Sequence, residues 1–368
     1  MDFSDYSFKV CIKCWTYNHA PFIKETLDGF TIQKTQFPFI CVIVDDASTD
    51  GEPDVIRNYL SVFFDMEDNT VAQNEETEDY YLFFARHKTN ENCFFAVFLL
   101  KYNHHGKKSK GRYFSKLVRD IKYHALCEGD DYWTDSRKLQ KQVSILEEHP
   151  DYGLCYTDFD LFEEGSQQFT HAVFENGVYK RSTSFEEHLV GCGFLAPMSW
   201  VYRKSVFDQL VYKSFTDSTF SYALAFFKQS KVFYIPEVTC VYRGHSGSVS
   251  RPTSPEGLFK QYRGVFDTQL FFAEKYQVGK EVVDFIKSGS YIKLLPSAIE
   301  SRQDEFIEEA SCFFEEANFD FNELIKLCDS YLLARQDAKQ ARESHAYKIG
   351  KAILKPIASV RRLRRLIK

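Results

Sequence analysis

Four carboxylates lie in the nine residues 127–135, directly after the strand-like stretch 121–126; they are Glu128, Asp130, Asp131 and Asp135. Like charges this close are costly unless a cation sits among them, and oxygen-rich clusters suit hard divalent ions such as Mg²⁺ or Mn²⁺. The spacing therefore predicts a metal site that binds a diphosphate. The alternative is a solvated acidic turn that caps the next helix. The aromatic pair Tyr132 and Trp133, which an ordinary exposed loop has little reason to hold, favours the metal site.

A second acidic cluster, residues 45–51, follows the apolar run 39–44. Ligands of open parallel sheets bind outside the carboxyl ends of the strands, so both clusters are expected to face one crevice. The spacing of this cluster imitates a calcium-binding loop, but position twelve would be Arg57, where a bidentate Glu is required. Asp46 could instead cap the helix that starts near Glu52.

The sequence predicts that a strand, a helix and a second strand position these two acidic clusters. Residues 8–14 alternate as a strand, and Ile23, Leu27 and Phe30 form one apolar helical stripe before the strand that ends at Val44. Such a unit is a right-handed crossover with parallel strands. The sequence thus predicts an α/β fold.

On three blocks the chain resembles the family 2 glycosyltransferases, which are inverting enzymes of GT-A fold, and in particular bacterial members that build surface polysaccharides. The blocks are residues 16–19 (TYNH), 44–51 (VDDASTDG) and 128–133 (EGDDYW), and residues 237–250 resemble the family's closing Tyr-Arg-x-His segment. The resemblance spans roughly residues 8–250. It implies a Rossmann-like, mostly parallel sheet flanked by helices.

The resemblance also implies roles for single residues in binding a nucleotide sugar. Tyr17 would stack on the base, Asn18 beside it would contact the nucleotide, and Asp45 or Asp46 would accept a hydrogen bond from the base. Packed-loop and helix-cap roles are the alternatives for Tyr17 and Asp46. The implied metal set is Asp131 as the main ligand, with Asp130 and Glu128 reaching the ion, ribose or ordered water. Arg243 would meet the diphosphate, and His245 would donate to phosphate or ligate the ion.

An inverting transfer needs a base that deprotonates the acceptor hydroxyl. The candidate is Asp217, placed where related chains have an acidic residue at a helix start. Thr216 departs from the family's pattern there, and Asp217 could simply cap the helix. Glu186 and Glu187 are rivals, although they resemble the exposed face of a short helix.

Composition and charge separate the ends of the chain. The 368 residues are 44% hydrophobic with 36 Phe, enough for a catalytic domain at 1–250 and a helical extension at 251–343. Residues 344–368 hold eight Lys or Arg and no acid, in a chain of net charge -6. Their apolar stripe beside a basic face predicts an amphipathic tail on an anionic membrane surface. A nucleic-acid tail or a helix packed on the protein are the alternatives.

The cysteines and the apolar runs of the sequence indicate the cellular compartment in which the protein is expected. Cys11 and Cys14 form a C-x-x-C on a predicted strand, where positions three apart face opposite sides, which argues against redox and zinc chemistry. The start of the chain has no secretory pattern, and the apolar run 94–100 is too short to span a bilayer. We expect a cytoplasmic protein, peripheral on the inner face of the membrane.

Together these features predict the transfer of a sugar from a nucleotide-diphosphate sugar, by resemblance a UDP-sugar, to an acceptor hydroxyl with inversion. The expected acceptor is a saccharide or lipid-linked saccharide in capsule, O-antigen or exopolysaccharide synthesis, and nucleic acid is not an expected partner. A sugar nucleotidylyltransferase would need a glycine-rich loop after the first strand, but residues 15–21 contain no glycine. A glycoside hydrolase would not explain the first two blocks. A non-catalytic nucleotide-sugar-binding protein would lack the base, so Asp217 separates it from an enzyme.

Overall fold

The computed structural model describes residues 6–104, 113, 121–216, 218–245 and 252–317, without the side chains of 291–292 and 311–317. The predictions for Asp217, for residues 246–250 and for the basic tail at 344–368 lie outside this part of the chain. The chain divides into two compact units, Met1–Arg251 and Pro252–Lys368.

Four parallel strands form the centre of the first unit's sheet. They are β1 (Val10–Thr16), β2 (Phe39–Asp45), β5 (Cys93–Leu100) and β6 (Tyr123–Leu126), in the order β5-β2-β1-β6. Every residue of β2 and β5 is buried, because strands covered on both faces need apolar side chains on both. The predicted parallel crossover between the first two strands is confirmed.

The outer parts of the sheet pair mostly antiparallel around this parallel centre. β3 (Ala72–Glu76) and β4 (Tyr80–Arg86) extend the β5 edge as an antiparallel hairpin. At the other edge, β10 (Val201–Arg203) joins β6 to β8 (Tyr152–Glu163) with antiparallel pairing on both sides. β11 (Lys231–Gly244) then pairs parallel with β8 and antiparallel with the two-residue β7 (Tyr132–Trp133), and β9 (Gln168–Thr170) pairs antiparallel with β8.

Helices connect the strands of this sheet. Helix α1 (Ile23–Thr31) buries the predicted stripe of Ile23, Leu27 and Phe30. Helix α2 (Glu52–Phe63) begins after Gly51, whose φ of 94° is left-handed backbone that suits glycine. The other helices of this unit are α3 (Lys138–Glu148), α4 (Phe185–Gly191), α5 (Lys204–Phe207) and α6 (Ser218–Gln229).

The second unit is helical in its described part. Helices α7 (Pro255–Lys275), α8 (Lys280–Ser301) and α9 (Asp304–Ala317) pack on one another. Phe259 of α7 stacks on Phe306 of α9 at 4.4 Å between ring centroids, and Arg263 donates to Glu309 at 2.7 Å. Among the described helices, none combines the length and apolarity that a membrane span requires.

Candidate active site

Three loops meet at the carboxyl edge of the parallel strands. They follow β1, β2 and β6, which lie side by side with Thr16 opposite Asp45 and Lys13 opposite Leu126. The loop after β6 approaches β1 through Gly129, where an added Cβ would lie 2.0 Å from Thr16 Oγ1 and 3.1 Å from His19 Nδ1. A glycine is therefore needed for this contact. The two acidic clusters share one edge of the sheet, as the sequence predicted.

Two histidines and one aspartate form a compact group at this edge. His245 Nε2 lies 2.9 Å from Asp130 Oδ2, and His19 Nε2 lies 3.9 Å from the same oxygen. Among the described residues, this is the one group of three potential ligands, with all ligand atoms within 4.8 Å of one another. His19 comes from the loop after β1, Asp130 from the loop after β6, and His245 follows β11.

The chemistry of this group fits a divalent ion. Asp130 Oδ1 is buried and has no hydrogen-bond partner among the described residues, which is costly for a carboxylate without a cation. Burial lowers the pKa of His19, against the charge of Asp130, so its imidazole is neutral and able to ligate. Burial alone would raise the pKa of Asp130, but the hydrogen bond with His245 and the nearby His19 bring it below its usual value. A second imidazole beside one carboxylate favours a transition metal over Mg²⁺.

Asp131, expected as the main metal ligand, has another partner. Its carboxylate is buried and accepts a hydrogen bond from the backbone N–H of Arg243 at 2.8 Å. Burial and the neighbouring charge of Asp130 raise its pKa well above the usual value. Glu128 is exposed and is not a member of the group of three. The structure thus places Asp130, rather than Asp131, beside the two histidines.

Arg243 is buried where β7 meets β11, among aromatic rings. Its guanidinium donates to the backbone oxygen of Asp130 at 2.9 Å, to Glu164 at 3.0 Å and to Glu25. It also lies 4.8 Å from the ring centroid of Phe22. These bonds make Arg243 a support for the loop that holds Asp130, and its contact with a diphosphate stays a prediction.

The acids after β2 also differ from each other. Asp45 Oδ1 accepts a hydrogen bond from the Ser48 N–H at 3.1 Å, whereas its Oδ2 is buried and has no partner in the described part of the chain. Burial raises the pKa of Asp45, against the hydrogen bonds of Ser48. Asp46 accepts a bond from the His104 N–H at 2.7 Å, and its carbonyl accepts one from Asn103 at 3.0 Å. Asp45 thus keeps a buried oxygen without a partner among the described residues, and Asp46 anchors the segment after β5.

Tyr17 and Asn18 have separate tasks. The Tyr17 side chain is 45% exposed beyond the end of β1, as a stacking platform requires. Asn18 has φ of 56°, its N–H donates to Ser48 Oγ at 2.8 Å and its Oδ1 accepts from the Thr49 N–H at 2.8 Å. Asn18 thus connects the loop after β1 to the loop after β2 through these two hydrogen bonds. Its direct contact with the nucleotide stays a prediction.

Sequence reasoning did not single out His19 or Glu52. Glu52 is fully buried at the start of α2, where it accepts bonds from Thr16 Oγ1, from the His19 N–H at 2.9 Å and from Ser48 Oγ at 2.9 Å. Burial raises its pKa to about 7, against these hydrogen bonds. His19 was visible as the last residue of the TYNH block. Glu52 looked like an ordinary first-turn acid, and nothing in the sequence indicated its burial.

The rivals of the predicted base have structural partners. Glu187 Oε2 accepts bonds from the backbone N–H of Thr183 at 2.9 Å and from its hydroxyl at 2.8 Å, while the N–H of Glu187 donates to Ser184 Oγ at 3.1 Å. This arrangement is related to a capping box at the start of α4, but Glu187 bonds to Thr183, the residue before the N-cap Ser184. Glu186 lies 3.7 Å from Lys228 on the surface. Asp217 lies outside the described residues, immediately before Ser218, where α6 begins.

Acids and histidines thus cluster at the carboxyl edge of the parallel strands, where open α/β sheets bind their ligands. Residues 14–211 match the family model described as Glycosyl transferase family 2. Because the match covers more than half of the 368 residues, the chain belongs to glycosyl transferase family 2.

Two curated mycobacterial proteins and two solved structures are also similar. The uncharacterized proteins Rv1520 of Mycobacterium tuberculosis and Mb1547 of Mycobacterium bovis are each 27% identical over 235 residues, which is 64% of this chain and 58% of theirs. The match thus spans under two thirds of these relatives. S. aureus TarS 1–349 in complex with UDP-GlcNAc superposes with a TM-score of 0.51 at 13% identity, covering 89% of this chain and 92% of that chain. Longer S. aureus TarS gives 0.50 at 14% identity, with 88% and 55% coverage. At these identities the likeness shows the fold, which confirms the expected GT-A architecture.

Proposed function

We propose that this protein transfers a sugar from a UDP-sugar to an acceptor hydroxyl with inversion at the anomeric carbon. Membership of glycosyl transferase family 2 supports sugar transfer. The observation that carries the proposal is a pair of buried carboxylate oxygens without partners among the described residues, Asp45 Oδ2 and Asp130 Oδ1. They lie after β2 and β6, the two strands that flank β1, where a nucleotide and its diphosphate would span the edge of the sheet.

Asp130, His245 and His19 would hold a divalent ion. The bound ion would neutralise negative charge on the departing nucleoside diphosphate. We assign the ligand role to Asp130 because its Oδ1 lacks a partner among the described residues, and we assign Asp131 to supporting the backbone of Arg243. The two imidazoles favour Mn²⁺ over Mg²⁺, which prefers an all-oxygen set.

The base would bind at the loops after β1 and β2. Tyr17 offers an exposed ring for stacking, and Asp45 Oδ2 would accept the imide N–H of uracil. The fold of this chain is similar to that of TarS, whose structure holds UDP-GlcNAc, and this supports UDP as the nucleotide. The identity of the sugar is not part of the proposal.

Asp217 is the proposed base for the transfer. The acceptor oxygen forms a bond to the anomeric carbon, the bond from that carbon to the diphosphate oxygen breaks, and the acceptor proton moves to Asp217. The leaving group departs as UDP. Glu186 and Glu187 are less suited, because their described contacts are a surface ion pair and a helix cap.

The first experiment measures release of the nucleoside diphosphate, UDP or GDP, from a panel of UDP- and GDP-sugars with Mn²⁺ or Mg²⁺. Asp217→Asn is expected to bind the donor, measured by calorimetry, and to lose turnover. Asp208→Asn, at an exposed acid that pairs with Lys204, is the matched control and should keep full activity. Full activity of Asp217→Asn would reassign the base, and failure of every donor to bind would refute the proposed function.

We further propose a lipid-linked saccharide as acceptor, in the synthesis of a bacterial surface polysaccharide, with residues 344–368 docking on anionic lipid. The support is the excess of basic residues in that segment. A variant without residues 346–368 should lose flotation with anionic liposomes and keep UDP binding. Unchanged flotation would refute the membrane role of the tail.

A further inference from the structure

Three aromatic side chains form a stepped surface on the side of β11 that faces away from Arg243. They are Tyr179, Phe194 and Tyr242, here called the aromatic wall. The ring of Phe194 lies 6.0 Å from that of Tyr179 and 5.6 Å from that of Tyr242. Tyr179 is 36% exposed and Phe194 is 37% exposed, while the buried Phe159 supports Phe194 from beneath at 6.1 Å. The wall is thus partly open to solvent, although its rings are large and apolar.

The wall is held in place by buried polar contacts. Asp158 is fully buried and accepts hydrogen bonds from the backbone N–H groups of Phe174 at 3.0 Å and Glu175 at 3.1 Å. The same loop closes with a bond from the Tyr179 N–H to the Val173 carbonyl at 3.2 Å. A loop whose backbone is fixed in this way pays less conformational entropy when its side chain binds a ligand.

Phe194 is fixed by a close approach of the backbone before it. At Gly193 an added Cβ would lie 2.5 Å from both His188 Nδ1 and Ser182 Oγ, so a larger residue would displace the segment. His188 in turn contacts the ring of Phe220 on α6 at 5.5 Å. The segment that holds Phe194 therefore packs on α4, which in turn contacts the first turn of α6, the helix that directly follows the proposed base.

The position of the wall relative to the metal group follows from the strand. Tyr242 is three residues before His245, so their Cα atoms are at most about 11 Å apart. Consecutive strand residues point to opposite faces, and Arg243 packs against Phe22 and Glu25 on the α1 face. A ligand on the wall would thus approach the end of β11 from the face opposite to α1.

We propose that the aromatic wall binds the ring of an acceptor saccharide. A sugar ring has an apolar C–H face, which suits the electron-rich face of an aromatic ring, and a rim of hydroxyls, which suits the phenol group of the partly exposed Tyr179. This inference rests on the proposed function, because an acceptor hydroxyl must come within about 3–3.5 Å of the anomeric carbon of the donor. The wall would then select for a saccharide over a small alcohol or water.

The test is saturation-transfer NMR with a panel of methyl glycosides, namely those of glucose, galactose, mannose and N-acetylglucosamine, without donor. We expect saturation of C–H protons on one ring face of at least one glycoside. Phe194→Leu should raise the Kd of that glycoside at least fivefold, and Phe194→Trp should restore it. The control Phe63→Leu removes a ring of matched 37% exposure on α2 and should leave the Kd unchanged.

Two further measurements keep the inference separate from the proposed function. Melting curves confirm that each variant folds, and calorimetry with UDP and Mn²⁺ reports the donor site. If UDP binds normally, two results would overturn the role of the aromatic wall without affecting the donor site. One is an unchanged glycoside Kd in Phe194→Leu, and the other is a wild type that binds no glycoside. A wild type that does not bind UDP would instead refute the proposed function.

Discussion

Each of the two acidic pairs at the sheet edge contains one residue that supports the fold and one that keeps a carboxylate oxygen without a partner among the described residues. Asp46 and Asp131 accept backbone N–H groups from distant segments, at His104 and Arg243. Their neighbours Asp45 and Asp130 each bury an oxygen that has no partner among the described residues. The comparison teaches that an Asp-Asp motif is not a uniform patch of charge, because the fold distributes the two roles within each pair.

The strongest test of the comparison is to remove the carboxylate of Asp130, whose Oδ1 has no partner among the described residues. Asp130→Asn deletes the anionic ligand between the two histidines, and we expect at least a 100-fold loss of turnover, equivalent to about 3 kcal/mol of transition-state stabilisation. Mn²⁺ affinity, measured by calorimetry, should fall in parallel. Asp131→Asn, which keeps an oxygen for the Arg243 N–H, is the control and should retain Mn²⁺ binding. Equal losses in both variants would break the comparison.

The pH dependence of stability tests the buried acid that supports the first pair's loop. The pKa of Glu52 is raised to about 7, so its contribution to stability is fully present below its ordinary value near 4.5 and is lost as the pH rises through 7. The loss is on the order of 3 kcal/mol. Glu52→Gln should therefore show a smaller fall in free energy of unfolding from pH 5 to pH 8 than the wild type. An exposed control, Glu148→Gln, should follow the wild type, and a parallel curve for Glu52→Gln would contradict the raised pKa.

Asp131→Ala should affect stability more than metal binding. It leaves the buried N–H of Arg243 unpaired, which costs about 1–3 kcal/mol. The expected fall in melting temperature is about 5 °C. Differential scanning fluorimetry measures this, and calorimetry on the folded protein should show a smaller loss of Mn²⁺ affinity than in Asp130→Asn. An unchanged melting temperature together with lost metal binding would restore Asp131 as the main ligand.

Substitutions in the first pair, Asp45 and Asp46, are expected to have a smaller effect, which is confined to the affinity for the nucleotide. Asp45→Asn replaces the open acceptor with a donor, so the Kd of UDP should rise about tenfold, equivalent to about 1.4 kcal/mol. Asp46→Asn keeps the oxygen that accepts the His104 N–H and should change the Kd less than threefold. Titration calorimetry with UDP distinguishes the two. The reverse order would assign the base contact to Asp46.

The fold was predictable where the local spacing of apolar residues is enough to define a strand or a helix. The apolar run 39–44 and the stripe of Ile23, Leu27 and Phe30 define a strand and a helix from spacing alone, and the structure has both. The antiparallel edges were not predictable, because β7 and β10 have two and three residues and hold their places through tertiary pairing. Short strands have too few residues to show a period.

The location of the candidate site was predictable, but the division of roles inside it was not. The blocks at 16–19, 44–51 and 128–133 do come together at one edge of the sheet. The partners that decide the roles of Asp46 and Asp131 lie 58 and 112 residues away in the sequence. A single sequence contains no rule for which acid meets a distant N–H, and Glu52 was missed for the same reason.

The most direct test of the central claim is an anomalous difference map from crystals soaked with Mn²⁺ and UDP. We predict a Mn²⁺ peak within about 2.5 Å of a carboxylate oxygen of Asp130 and of a ring nitrogen of both His19 and His245. A peak bound by Asp131 without Asp130, or a peak remote from both histidines, would contradict the account.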